Sequence, residues 1–283
     1  MSFVSIGITA YNEEKNIGKL LDFLSKEKFS FSLKEIIVVI SGCTDRTEDV
    51  VKPFLKTNKK IKLIKEKERK GKTSAINLIL KKAKGNIIVF ICADNIPKKG
   101  SINKIITRFS NKKIQAVSGR PIPIEGKDKL FGYISYLVWA LHHKVCLRNP
   151  KISGELFAIK KDVVKEIPYK IVNDDGYLTA LVRKLGYKIA YAPEAVTYMI
   201  GTNNLSSHII RRRRIGRGYT QLKEIGLDVN ISIPLKIKSI IEFIKEEPEN
   251  IHKILFAVFL EVFIDILAFY DTIKKINPYC WKK

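Results

Sequence analysis

The chain has 283 residues, 46% of them hydrophobic, which suffices for a packed core in one large domain or two. Its 52 Lys and Arg outnumber 28 Asp and Glu and give a net charge of +24. That charge favours a polyanionic partner, namely nucleic acid, an anionic membrane surface or a phosphorylated small molecule, without choosing among them. The four cysteines include no pair at C-x-x-C spacing, which argues against a disulfide framework or a zinc site.

Cys43, Cys92, Cys146 and Cys280 are therefore expected to be reduced thiols. The opening residues, MSFVSIGITAYNEE, go directly into an apolar strand and then charges. They lack the basic segment and the cleavage site of a secretory signal. We expect a cytoplasmic location.

The N-terminal third alternates apolar strands with helices. Short apolar runs predict strands over residues 4–9, 36–40, 61–64 and 86–95. Helical patterns lie between them, over residues 12–25, 47–57 and 74–83. Pro53 is expected to interrupt the second helix early. The alternation predicts a parallel, doubly wound sheet whose right-handed crossovers bring all strand ends to one edge.

The middle of the chain is more varied. Residues 116–120 predict a strand, and the uncharged apolar stretch 130–141 is too short to span a bilayer, which takes about twenty apolar residues. The segment SGELFAIKKDVV predicts a strand and a helix start. Residues 173–195 predict a helix ended by Gly186 and then a strand, and a very basic helix begins near residue 206.

Residues 251–273 are apolar on most faces of a predicted helix. Glu261 and Asp265 lie four residues apart and therefore share one helical face. Two acids at the centre of a lone spanning helix are costly. We expect this helix either to lie at a membrane interface or to pack on the catalytic domain.

Polar residues follow the predicted strands at the edge where open α/β sheets bind ligands. The stretches are TAYNEE, SGCTD, CADN and, later, NDDGYL. Asp94 comes directly after the apolar run IIVFICA. A carboxylate there is either solvated at the sheet edge or holds Mg²⁺ or Mn²⁺, which prefer oxygen ligands and take the remainder from water and phosphate.

Asp174 and Asp175 open a predicted helix. Acidic residues favour helix N-termini, so capping is the simpler interpretation of the pair. The functional interpretation is a general base, which needs a carboxylate within hydrogen-bond reach of an acceptor hydroxyl. These two residues alone favour capping.

The order of the pieces resembles family-2 glycosyltransferases with the GT-A fold. VSIGITAYNEEKNI is similar to the family's V-S-I-I-I-P-A-Y-N-E-E, SGCTDRTEDVV to D-D-G-S-T-D-x-T, and KGKTSAINLIL to x-G-K-x-x-A-L-N. VFICADNIP is similar to V-x-x-D-A-D-x-x-P, NDDGYLTALVRKLGYKIAY to x-E-D-x-D-L-x-x-R-L-x-x-x-G-Y, and RRRRIGRG to Q-x-x-R-W-x-x-G. All six occur in the family's order over residues 3–218.

The resemblance implies an α/β protein with a GT-A catalytic domain over residues 1–220. This domain would be a Rossmann-like, mostly parallel sheet flanked by helices. Residues 221–283 would form a helical C-terminal appendix, which we expect to associate with a membrane.

The resemblance also implies roles for single residues. Those that would contact the nucleotide sugar are Thr9, Ala10, Tyr11, Glu13, Ser41, Lys72, Asp94 and Arg214. Asp94 would also hold the Mg²⁺ or Mn²⁺ at the donor diphosphate. Asp175, next to Asp174, would be the catalytic base. Glu155 would contact the acceptor, unless it only caps the LFAIKK stretch.

Four positions depart from the family pattern. Ser41 and Cys92 stand where the family usually has carboxylates facing the nucleoside, so the choice between UDP and GDP stays open. Arg211 and Ile215 replace the glutamine and tryptophan of Q-x-x-R-W. Because that tryptophan usually accompanies processive synthesis, its absence favours transfer of a single sugar.

The implied reaction is inverting, metal-dependent transfer of a sugar from a nucleoside diphosphate to an acceptor hydroxyl or a lipid phosphate. We expect a glycan or lipid-linked acceptor and an enzyme held peripherally on the inner face of an anionic membrane. Two alternatives are a non-catalytic relative and a nucleic-acid-binding protein. The latter would use the cluster Arg211, Arg212, Arg213, Arg214 and Arg217, but no recognition module is visible, so nucleic acid is not an expected partner. A nucleotidyltransferase is disfavoured because ITAYNEEKNIG is not a glycine-rich phosphate loop.

Overall fold

This computed structural model describes residues 3–229 and 231–276 of the chain. Within these residues, eight strands form one mixed sheet. The strands are β1 (Phe3–Ala10), β2 (Ser32–Ser41), β3 (Ile61–Glu66), β4 (Ile87–Cys92), β5 (Ile96–Pro97), β6 (Ile114–Pro123), β7 (Leu156–Lys160) and β8 (Lys188–Met199). Their order in the sheet is β3-β2-β1-β4-β7-β6-β8-β5. Cys280 lies outside the described residues.

Nine α-helices surround this sheet within the same residues. They are α1 (Ile17–Lys26), α2 (Thr47–Thr57), α3 (Lys72–Lys82), α4 (Ser101–Thr107), α5 (Leu130–Arg148), α6 (Asp174–Lys184), α7 (Leu205–Glu224), α8 (Ile233–Glu246) and α9 (Ile251–Ile273). The α/β architecture expected from the sequence, a sheet flanked by helices with further helices at the C-terminal end of the described residues, is observed.

The first four long strands are parallel, as the strand–helix alternation predicted. β1 pairs in parallel with β2 and β4, and β2 pairs in parallel with β3. Both faces of these strands are apolar because helices cover both. Ile6 and Ile36 face the core shared with α1, whereas Ile37 and Val39 face the core shared with α3.

The expectation that the strands of the N-terminal third end at one edge is confirmed for β1 to β4, whereas the later strands run in both directions. β7 runs antiparallel to both β4 and β6, and β5 runs antiparallel to β8. The handedness rule applies to parallel strands joined by a crossover, and β7 follows the α5 helix without completing such a unit. As a result, β7 begins at the edge where β4 ends.

The predicted interruption at Pro53 is also wrong, because α2 runs through this residue. Proline cannot donate a hydrogen bond to the carbonyl four residues earlier, which belongs to Asp49. Asp49 and Pro53 are both exposed, so water can reach that carbonyl.

The C-terminal helices pack on the rest of the protein. A third apolar core joins Tyr133 and Leu137 of α5, Phe243 of α8, and Ile254 and Leu260 of α9. Packing, one of the two arrangements expected for residues 251–273, is therefore observed. No helix within the described residues is long and apolar enough to cross a membrane. Residue 220 lies inside α7, and the division of the chain there stays a prediction.

Candidate active site

A cleft opens at the edge of the sheet where β1, β2 and β4 end. Thr9 of β1 pairs with Cys92 of β4, and β1 lies between β2 and β4. This is the position at which the strand order reverses and open α/β sheets bind ligands. The cleft has a volume of about 1500 Å³. It is lined by every residue that the sequence predicted for the site: Thr9, Ala10, Tyr11, Glu13, Ser41, Lys72, Asp94, Glu155, Asp174, Asp175 and Arg214.

Three possible metal-ligating side chains meet in this cleft. One ligand atom each from Cys92, Asp94 and Glu155 lies within 4.8 Å of the other two. Burial raises the pKa of Asp94 to about 6, and the negative charges of Glu155 and Glu13 contribute to the rise. A divalent cation would offset this repulsion, and two carboxylates are ligands that suit Mg²⁺ or Mn²⁺. The residues present therefore fit such a cation.

Cys92 contributes to this group as a neutral thiol. Burial raises its pKa, and its Sγ donates to the carbonyl of Gly154 at 3.1 Å. A thiol cannot supply the negative charge of the carboxylate that the family usually has here. The two carboxylates of Asp94 and Glu155 are therefore the charged oxygen ligands that the cleft offers at this point.

Glu155 directly precedes β7. Because β7 runs antiparallel to β4, it begins at the edge where β4 ends, and Glu155 therefore lies beside Asp94. Its carboxylate accepts hydrogen bonds from Arg211 Nη2 at 2.8 Å and from Asn95 Nδ2 at 2.8 Å. The Arg211 charge partly offsets the rise in the pKa of Asp94. The sequence could not reveal the ion pair, because its two residues lie 56 positions apart.

Asp175 and Asp174 have different surroundings despite being neighbours. The side chain that caps α6 is that of Asn173, which accepts from Gly176 N at 3.0 Å. Asp175 Oδ2 accepts from Gly154 N at 2.9 Å. Burial, together with the charge of Asp174, raises the pKa of Asp175, as a general base at neutral pH requires. The side chain of Asn173 caps this helix, and both aspartates lie in its first turn, where acidic residues are favoured.

Lys72 joins the start of α3 to the start of α6. Its Nζ lies 3.1 Å from Asp174 Oδ2 and 3.4 Å from the carbonyl oxygen of Gly154. Burial works against the lysine charge, but Asp174 and the other negative groups prevail and raise the pKa of Lys72. A Cβ at Gly154 would come within 2.8 Å of Lys72 Nζ, so a residue without a side chain keeps these groups close.

The SGCTD turn after β2 forms the part of the cleft nearest β1. Gly42 has φ of +59°, and a Cβ there would lie 2.4 Å from the backbone nitrogen of Arg69. The Arg69 guanidinium lies over the Tyr11 ring, 3.8 Å from its centroid. Ser41 Oγ accepts from Lys70 N at 3.2 Å. The turn thus brings the 69–70 backbone against the end of β2 and leaves an aromatic–guanidinium pair beside the cleft.

The arginines of α7 are mostly paired with acids of the same chain. Arg212 Nε donates to Glu261 at 2.7 Å, Arg213 pairs with Asp271, and Arg217 pairs with Glu224. Arg214 donates to the carbonyl oxygen of Val172 at 3.1 Å. The acidic face of α9 therefore lies along the basic helix, which explains why residues 251–273 carry acids within an apolar sequence.

Lys151 is a cleft residue that the sequence analysis missed. Its Nζ lies 3.5 Å from the Tyr219 hydroxyl, and no carboxylate of the described residues lies within ion-pair distance of it. Its charge acts against the rise in the pKa of Asp175. No local motif marks this lysine, because its surroundings come from α5, α6 and α7 together.

A curled, mostly parallel sheet with this cleft at its edge has the GT-A fold. The chain belongs to glycosyl transferase family 2, whose model matches residues 5–167. Over 203 residues it is 25% identical to glycosyltransferase AglE of Haloferax volcanii, covering 69% of this chain and 66% of AglE. The chain spans 50 to 66% of the length of the first curated relatives that it matches.

Two solved structures share the fold. The mannosyltransferase PcManGT from Pyrobaculum calidifontis, in complex with GDP-Man and Mn²⁺, has a TM-score of 0.63 at 21% identity and covers 98% of this chain and 81% of its own. Glucosyl-3-phosphoglycerate synthase from Mycobacterium tuberculosis, in complex with Mn²⁺, UDP and glucosyl-3-phosphoglycerate, has a TM-score of 0.54 at 21% identity, with 80% of each chain covered. At 21% sequence identity, the similarity to these two structures shows a shared fold.

Proposed function

We propose that this glycosyltransferase is an inverting, metal-dependent enzyme that transfers one sugar from a nucleoside diphosphate to an acceptor hydroxyl or a lipid phosphate. One observation carries the proposal: Asp94 and Asp175 line the same cleft. Asp94 lies at the end of a sheet strand and Asp175 at the start of α6, so a donor and an acceptor can meet between them.

The proposed roles follow from the position of each group. Asp175 takes the proton of the attacking acceptor oxygen, which forms a bond to the sugar C1 as the bond from C1 to the diphosphate breaks. Attack from the side opposite the leaving group inverts the anomeric centre. A divalent cation at Asp94 and Glu155 would neutralise charge on the departing diphosphate.

The chain's own cations complement this reaction. Lys72 is held at the start of α3 by Asp174 and faces the same cleft, and Arg214 lines it from α7. Both are proposed to contact the diphosphate. Thr9, Ala10, Tyr11, Glu13 and Ser41 are proposed to contact the nucleoside, with the Tyr11–Arg69 pair as a stacking surface beside it. The replacements at Arg211 and Ile215 support single-sugar rather than processive transfer.

A screen of nucleotide sugars tests this function. UDP- and GDP-sugars are measured for thermal stabilisation with Mn²⁺ and with chelator, and a sugar that stabilises is then tested for transfer. We expect stabilisation and transfer only with the cation. Equal transfer in the presence and absence of chelator would contradict the role of Asp94.

We also propose peripheral attachment to the cytoplasmic face of an anionic membrane. Large apolar side chains are exposed along two neighbouring C-terminal helices, which we call the apolar face: Ile233, Ile237 and Ile241 of α8, and Leu255, Phe256, Phe259, Val262, Phe263, Ile266 and Phe269 of α9. A net charge of +24 would add attraction to anionic lipid. The free thiols of Cys43, Cys92 and Cys146 agree with a reducing compartment.

Sedimentation with liposomes tests the attachment. The protein is expected to bind vesicles containing anionic lipid at low salt, and to bind less when Phe259 and Ile266 are both changed to Ser. Failure to bind anionic vesicles at low salt would refute membrane attachment.

The basic helix does not favour the nucleic-acid alternative. Its side chains Arg211, Arg212, Arg213 and Arg217 are paired with Glu155, Glu261, Asp271 and Glu224. Binding duplex through these arginines would require breaking those ion pairs.

A further inference from the structure

The donor groups occupy only part of the cleft. The cleft also extends between α5, α7, α8 and α9, where apolar side chains lie among the polar side chains of Arg212, Lys236, Glu261 and Asp265. This portion is lined by Leu137, Leu141, Ile215, Ile240, Val258 and Val262. A sugar nucleotide is polar throughout, so it does not need an extension of this kind.

A positive charge lies between the catalytic groups and this apolar extension. Lys151 lines the cleft, acts electrostatically on Asp175, and contacts the Tyr219 hydroxyl at 3.5 Å. No carboxylate of residues 3–229 or 231–276 pairs with it. Burial works against the charge of Lys151, but Tyr219, Cys146 and Asp175 outweigh it and raise the pKa of this lysine. The ammonium group is therefore charged, and it can make a charge-assisted contact with an anionic group of a ligand.

His142 does not compete for this role. Burial, followed by the nearby charge of Lys151, lowers its pKa well below the ordinary value, so it is neutral. Arg212 also lies close to this region, but Glu261 holds its charge. Lys151 is therefore a cation of the described cleft lining that lies close to Asp175 and forms no ion pair with a carboxylate of the described residues.

The apolar extension reaches the outer surface. Ile210, Val262 and Phe269 line the cleft and yet are 53%, 55% and 63% exposed. Val262 and Phe269 belong to the apolar face defined above. The cleft lining and that face thus share Val262 and Phe269, where an apolar chain could leave the cleft.

We propose that Lys151 forms a phosphate subsite for the acceptor and that the apolar extension holds the acceptor's hydrocarbon tail. The acceptor is then a lipid phosphate. Its singly protonated head would give the remaining proton to Asp175 as a phosphate oxygen bonds to the sugar C1 and the bond from C1 to the nucleoside diphosphate breaks, and its tail would lead to the apolar face. This inference rests on the proposed function and narrows its acceptor from a hydroxyl or a lipid phosphate to the second class.

Binding of three probes tests the subsite. Farnesyl phosphate carries both the phosphate and a tail, farnesol carries only the tail, and 3-phosphoglycerate carries a phosphate without a tail. Trp139 lines the cleft, so its fluorescence can report binding in a Trp281→Phe background, below the concentration at which farnesyl phosphate forms micelles. We expect farnesyl phosphate to bind at least ~10-fold more tightly than either partial probe, since a charge-assisted contact and tail burial both contribute.

Variants separate the head from the tail. Lys151→Gln should weaken the binding of farnesyl phosphate at least ~10-fold and change the binding of farnesol by less than about twofold. Lys151→Arg should retain most of the affinity for farnesyl phosphate. Lys19→Gln, at an exposed lysine of α1, is the matched control. Phe269→Ser should weaken the binding of farnesyl phosphate ~5-fold. Ile266 has a similar exposure of 61% but does not line the cleft, so Ile266→Ser should leave this binding unchanged.

Two results would overturn the inference. If Lys151→Gln leaves farnesyl phosphate binding unchanged while remaining folded, no phosphate subsite exists there. If 3-phosphoglycerate binds as tightly as farnesyl phosphate, the tail has no site and the acceptor is a water-soluble phosphate. Titration with UDP and GDP in Mn²⁺ is measured separately, so loss of donor binding alone would count against the proposed function and not against this subsite.

Discussion

Replacing Asp94 with Asn should make the metal-free protein more stable at neutral pH. Burial and the charges of Glu155 and Glu13 raise the pKa of Asp94 from 3.8 to about 6. The folded protein therefore binds a proton more tightly than the unfolded chain does, and its stability falls as pH rises through this interval. At 1.36 kcal/mol per pKa unit, the penalty above pH 6 is about 3 kcal/mol. Asn removes the charge and keeps the shape.

Urea unfolding at pH 4 and pH 8 measures this effect, with linear extrapolation to water. Near pH 4 the two proteins should differ little, since the Asp94 carboxyl is mostly protonated when folded. At pH 8 and in chelator, Asp94→Asn should be about 2 to 3 kcal/mol more stable than the unchanged protein. Asp162→Asn, at an exposed aspartate, is the control and should show no such difference.

Adding Mn²⁺ should reverse the order. The unchanged protein gains stability from cation binding according to the ratio of free cation to its dissociation constant, and the variant should gain much less. Equal stability of the two proteins at pH 8 in chelator would refute the argument that buried acids repel one another here. Equal stabilisation of both by Mn²⁺ would refute Asp94 as a ligand.

Three further changes test other parts of the molecule. Asp175→Asn should leave nucleotide-sugar binding nearly intact and lower kcat by at least ~100-fold, because the base acts on the acceptor; a similar loss of donor binding would argue against that role. Glu261→Gln should lower the free energy of unfolding in urea at pH 7 by about 2 kcal/mol, because Arg212 and His208 lose a charged partner. The difference should vanish at acid pH, where Glu261 is protonated. Unchanged stability at pH 7 would mean that the pairing is not stabilising. Gly42→Ala should destabilise by about 2 kcal/mol, since φ is +59° and its Cβ would lie 2.4 Å from Arg69 N, whereas Gly100→Ala, with φ of +80° but open space, should cost less.

Much of the fold was readable because the informative residues are neighbours in sequence. The helix over residues 47–57 was predicted with the observed bounds, and residues 251–273 form one helix as expected. Strand–helix alternation then required parallel pairing of the first strands, and this placed the ends of β1, β2 and β4 at one edge. The class of enzyme followed from ordered short motifs, which the family match confirms.

The electrostatic details of the cleft depend on contacts between distant residues. The pairing of Glu155 with Arg211 and that of Glu261 with Arg212 span 56 and 49 positions. No periodicity or motif connects such residues, so the sequence did not show which acids the arginines of α7 contact. The position of Lys151 beside Asp175 and Tyr219 is still harder to predict, because residues of α5, α6 and α7 together form its surroundings.

The amino-acid sequence by itself determined the alternation of strands and helices, and with it the edge of the sheet at which polar residues gather, because apolar periodicity and the handedness of crossovers act locally. Only the tertiary structure decided that β7 runs backwards and delivers Glu155 next to Asp94. It also decided that the acids of α9 lie on the arginines of α7. Both outcomes depend on which surfaces become buried together. Such contacts join residues that are distant in sequence, and they form only when the chain has packed.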